Sequence, residues 1–158
     1  MATKKHEMRN FIEFYKETTG NDELDMKEVA KLAVKNGWPL PEPVDPYDRL
    51  AKQFTDVARE VIRHDKTTGR PYRAYHAIPV LSGAQQHFRY IDIDEAPRKK
   101  MHKSLILRRE QMVGDAYHLT LDSDHWNSIN PEEEPISLPL DFGPDVDWRK
   151  NGPAEEAV

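Results

Sequence analysis

The segment Trp38-Pro39-Leu40-Pro41-Glu42-Pro43-Val44 places three prolines within five residues. Proline fixes φ, lacks an amide hydrogen and pushes the preceding residue out of the helical region. No helix can cross this stretch. It must run extended over the surface, with Trp38 and Leu40 as its apolar anchors. Helices are therefore expected on either side of it, each with its own start and stop signals.

On the amino-terminal side, Phe11, Ile12, Phe14 and Tyr15 recur at helical spacing between Arg9 and Thr18, and Gly20 supplies a C-cap. Asp25 with Glu28 has the Asp-x-x-Glu form of a capping box. The helix it opens is expected to bury Met26, Val29, Leu32 and Ala33 and to stop at Asn36-Gly37. Beyond the prolines, Asp45-Pro46 pairs an N-cap with a proline at the first helical position. Leu50, Phe54, Val57, Ala58, Val61 and Ile62 carry that helix to about His64.

The periodicity then changes. After a turn at residues 66–71, residues 72–80 are aromatic and β-branched, residues 81–86 read as a loop, and residues 87–93 alternate. The two strands are expected to pair as an antiparallel hairpin. Residues 94–97 open the longest helical stretch, reaching Ala116 or Asp122, with Gly114 as a candidate break. Met101, Leu105, Met112, Val113, Ala116 and Leu119 line one side of it. After Trp126 an acidic, proline-punctuated tail begins, expected to be irregular. Its Ile136, Leu138, Leu140, Phe142, Val146 and Trp148 are too apolar for free solvation and call for docking on the body or on another chain.

The fold class that follows is mainly α with a small antiparallel β-hairpin. Three helices followed by a two-stranded hairpin and a further helix resembles the winged helix-turn-helix arrangement, over roughly residues 8–93. The resemblance implies a scaffold helix at 25–36, a recognition-type helix at 46–64 and a wing at 71–93. It divides the chain into a winged-helix-like domain (1–93), a long helical segment (94–126) and an acidic, Pro-rich tail (127–158). In many winged-helix regulators such a long helix pairs across a two-fold axis, which implies a homodimer through residues 97–121. Residues 136–148 are the candidate contact for a protein partner.

The 158 residues carry a net charge of −5, but unevenly. Residues 59–109 hold 12 Lys and Arg against 5 acids, a net of +7, whereas residues 127–158 stand at −6. A basic middle between acidic ends is an electrostatic footprint for an anionic partner, with DNA preferred over RNA. The candidate contacts are Arg59, Arg63, Lys66, Arg70, Tyr72, Arg73, Tyr75, Arg89, Tyr90, Arg98, Lys99, Lys100 and Lys103. Arginine and lysine neutralise phosphates, while the interleaved tyrosines stack on bases or pack on sugars.

Other chemistry is poorly served. There is no cysteine, so disulfide frameworks, thiolate metal sites and cysteine nucleophiles are excluded. Phosphate-cradling loops, nucleophile elbows and dinucleotide fingerprints are absent. His118, Asp122, Asp124 and His125 form the densest metal-ligand cluster but match no established spacing, and His76 with His87 is a candidate cross-strand pair. No metal, cofactor or catalytic residue is expected. The absence of a leader-like apolar start and of any long apolar run points to a cytoplasmic protein without a membrane span.

Overall fold

The computed structural model describes residues 2–83 and 85–153 and is mainly helical, with two small antiparallel hairpins. It divides into two compact units, one up to Arg49 and one from Leu50 onward. The segment expected to form one winged-helix-like domain is thus shared between both.

In the first unit, α1 (Lys4–Thr19) begins five residues before the expected start, because the Thr3 hydroxyl caps it by accepting from the His6 amide. It ends at Gly20 in the left-handed region (φ 69°). The α2 helix (Met26–Lys35) is capped by Asp25, whose carboxylate accepts from the Lys27 amide at 2.9 Å. Glu28 pairs with Lys31 at 2.7 Å. Val29 is buried, and Phe11 joins Phe14 and Trp38 in a tilted aromatic group. Two anchors expected from the sequence are solvent-facing instead: Met26 and Leu40 are exposed. Met26 sits in the first turn of α2, at the rim of an apolar cleft, and Leu40 lies between prolines that hold the chain extended.

The α3 helix (Pro46–Glu60) starts as expected, with the Asp45 carboxylate accepting from the Tyr47 amide at 2.7 Å. It stops at Glu60 rather than His64. Residues Ile62–His64 form β1 and pair antiparallel with β2 (Pro71–Arg73). The turn between them is built on Asp65, whose carboxylate accepts from the Thr67 and Thr68 amides, with Gly69 at φ 70°. β-branched Val61 and Ile62 suit extended backbone better than a helix end.

A bend at Ala74 separates β2 from β3 (Tyr75–Ser82), which pairs with β4 (Gln85–Asp92). Most of the expected six-residue loop is strand instead, the pairing running on to Ser82 opposite Gln85. Gly83 has φ 65°, and Ala84 lies outside the described residues. The register sets His76 opposite Ile91 and His87 opposite Val80, so the two histidines do not face each other. Ala74 has no exposed surface; its N–H donates to the Val61 carbonyl and its carbonyl accepts from the Ile93 amide. It therefore ties the entry of β1 to the exit of β4.

The α4 helix (Arg98–Ile129) runs 32 residues without interruption, straight through Gly114. It packs on β3, where buried Ser104 donates its hydroxyl to the Ala77 carbonyl at 2.6 Å. The tail then turns back. The Asn127 side chain both accepts from the Ile136 amide and donates to its carbonyl, and Pro139, Phe142 and Val146 gather beside Met112. Its last part is helical, against the expectation of an irregular end: α5 (Gly143–Asn151) starts with Pro144 at a first-turn position, which favours helix initiation. The apolar tail residues keep between 43% and 64% of their surface exposed. Among the described residues, no helix is long and apolar enough to cross a membrane.

Candidate functional site

The strands of the basic segment present alternate side chains to opposite faces. On the β3–β4 hairpin one face carries Tyr75, Ala77, Phe88 and Tyr90. Along α4, residues 104, 107, 108 and 111 share one stripe, as three- and four-residue spacing requires. Where these meet the end of α3, a cleft of about 470 Å³ opens. Arg59, Arg73 and Arg108 line it together with Tyr75, Phe88, Tyr90 and Gln111, and among the described residues no carboxylate lines it.

The guanidinium groups are positioned by different elements. Arg59, in the last turn of α3, donates from Nε to the Tyr90 hydroxyl at 3.2 Å. Arg73 ends β2 just before the bend and is exposed. Arg108 is an exposed residue one turn beyond Ser104 on α4. Neither Arg73 nor Arg108 enters an ion pair among the described residues. His76 is buried behind them, its Nε2–H donating to the Arg73 carbonyl at 2.9 Å, which steadies the backbone carrying that arginine.

Of the thirteen residues singled out from the sequence, Arg59, Arg73, Tyr75 and Tyr90 converge on this cleft. Arg63 does not. It grips Asp92 with two bonds of 2.7 and 2.8 Å and reaches Asp94 at 2.7 Å, with its guanidinium 5.7 Å from the Tyr75 ring centroid. Those carboxylate bonds raise its pKa further, and its partnership holds the Asp92 carboxyl below the usual carboxylate range. Tyr72 donates to Asp94, and desolvation followed by that acidic partner pushes its phenol up. Both residues are thus parts of a charge network that locks β1 and β2 to the end of β4.

Lys66 and Arg70 line a separate concavity on the β1–β2 turn, which also holds Asp65 and Asp94. Arg70 donates to the Asn151 side chain at 2.6 Å. Arg89, between Phe88 and Tyr90, faces the opposite side of the hairpin. Arg98, Lys99, Lys100 and Lys103 are exposed on the first turns of α4, away from the cleft lining. Arg108 and Gln111 line the cleft without having been singled out, beside Phe88, one of the aromatics interleaved with the hairpin's basic residues. The 104–108–111 spacing was the available signal, but only the packing of α4 on β3 gives it meaning. Among the described residues no group of three or more His, Asp or Glu side chains is placed to hold a metal ion.

The Asp92 pair has a pH consequence. Its folded pKa is depressed, so its contribution to stability is present above the unfolded value of about 3.9. That contribution is lost as pH falls through the lower folded value. In Arg63→Ala the Asp92 titration, followed by carboxyl NMR, should move upward toward the ordinary aspartate range. The thermal midpoint of this variant should fall less steeply with acidification below pH 4 than that of the parent.

Comparison of the chain with protein-family models, with curated proteins and with solved structures returns no match.

Proposed function

We propose that this protein binds nucleic acid, without catalysing a reaction on it, through the cleft between the β3–β4 hairpin, α4 and the end of α3. The observation that carries the reading is the lining itself: three arginines and three aromatic rings, with no carboxylate among the described residues that line it. Arginine pairs with phosphate through a planar fork of donors, and tyrosine and phenylalanine faces accept an unstacked base. Such a mixture suits a single strand better than a duplex, because bases buried in a duplex offer no free face to the rings. A regulator or an accessory subunit is the role that fits.

The test is binding of labelled single-stranded and duplex DNA, and of single-stranded RNA of the same sequence, at two salt concentrations. Phosphate contact by three arginines predicts that log K falls against log salt with a slope of about −2, on the single-strand factor of roughly 0.7 per contact. Absence of binding at low salt removes the reading. It would favour a second one, a protein-interaction subunit working through residues 136–148, for which the exposure of Ile136, Leu138 and Trp148 speaks.

A further inference from the structure

Helix α4 carries its charge in two blocks. Its first twelve residues contain Arg98, Lys99, Lys100, Lys103, Arg108 and Arg109 and no acid. Residues 110–129 contain Glu110, Asp115, Asp122 and Asp124 and no Lys or Arg. Both blocks oppose the helix dipole, which favours acids at the amino end and bases at the carboxyl end. Only one ion pair forms within the helix among the described residues, Arg109 with Glu110 at 3.5 Å.

The helix also has an apolar stripe that stays about half exposed among the described residues. Ile106, Val113, Tyr117 and Leu121 follow one another at steps of seven, four and four and lie 46–60% exposed. This stripe is on a different side from Ser104, which meets β3, and from Met112, which meets the tail, and it ends before Asn127, which bonds the tail at Ile136. Gly114 borders it at the midpoint of the helix. A Cβ there would meet nothing within 4 Å, so the fold of a single chain does not require glycine. A glycine inside a helix costs about 1 kcal/mol relative to alanine and is kept where another backbone must approach closely.

We infer that a second copy of this chain packs antiparallel on α4 across a two-fold axis near residues 113 and 114. About that axis Ile106 lies opposite the partner's Leu121, and Val113 opposite the partner's Gly114. Lys103 lies opposite the partner's Asp124, and the reciprocal pair repeats the contact. The basic half of each helix then faces the acidic half of the other, and the two dipoles oppose favourably. A parallel pairing would set like blocks against each other. The dimer does not depend on the nucleic-acid reading, and its stripe is separate from the cleft lining.

The test is sedimentation velocity on the full chain over a range of concentrations, joined to cysteine cross-linking in a protein that has no native cysteine. The parent should sediment as a dimer. Lys103→Glu should weaken association by about tenfold, since it turns two exposed attractions into repulsions, and Lys103→Glu combined with Asp124→Lys should restore it. Ile106→Cys with Leu121→Cys in one chain should give an oxidised, linked dimer, while Ile106→Cys alone should not. Far-UV circular dichroism checks that each variant keeps its helices, and all substituted positions are exposed. A monomeric parent, an unrescued double charge swap, or efficient cross-linking by Ile106→Cys alone would each overturn the inference.

Discussion

Replacing Arg73 and Arg108 together by alanine should lower the affinity for single-stranded nucleic acid by about a hundredfold at low salt, roughly tenfold for each charged hydrogen bond lost. The salt slope should become shallower by about 1.4 at the same time. Neither side chain is held in an ion pair among the described residues, so the folded state loses little when they go. The thermal midpoint should therefore stay close to that of the parent. Arg89→Ala, on the opposite hairpin face, serves as the control and should change affinity by less than about threefold. An Arg89→Ala loss as large as that of the double variant would move the binding surface off the cleft.

Folding should be weakened most by Ala74→Leu. Ala74 is completely enclosed, at the bend that joins β2 to β3, with both backbone groups bonded across to Val61 and Ile93. A leucine there must push apart the chain segments those two bonds hold together. Overpacking of this kind costs about 1–3 kcal/mol. Urea unfolding followed by circular dichroism should show a lower midpoint with an unchanged slope. An unaltered midpoint would mean that Ala74 does not lock the hairpins to each other.

Features set by short-range interactions are legible in the sequence, and those set by long-range packing are not. Asp25, Asp45 and Gly20 announce helix ends because a cap bonds to groups two to four residues away, and all three act as expected. The mainly helical class with a small hairpin follows from the same local signals. β1 was hidden because Ile62–His64 continues an apolar helical period, and only its partner Pro71–Arg73 turns it into a strand. Arg63 looks like a phosphate ligand in sequence because the carboxylates that hold it, Asp92 and Asp94, lie about thirty positions away. The same holds for Arg108 and Gln111, which gain their place from the packing of α4 on β3 and from nothing adjacent to them in the chain. Gly114 reads as a break by propensity, yet the helix continues through it, since one glycine costs less than the packing and hydrogen bonds on both sides supply.

An NMR titration with a short single-stranded oligonucleotide at low salt decides whether nucleic acid binds in the arginine- and aromatic-lined cleft. Shift changes should gather on the rings of Tyr75, Phe88 and Tyr90 and on the side-chain Nε–H groups of Arg59, Arg73 and Arg108. Changes confined to the β1–β2 turn and the first turn of α4, or no changes at all, would mean that the cleft is not the binding surface.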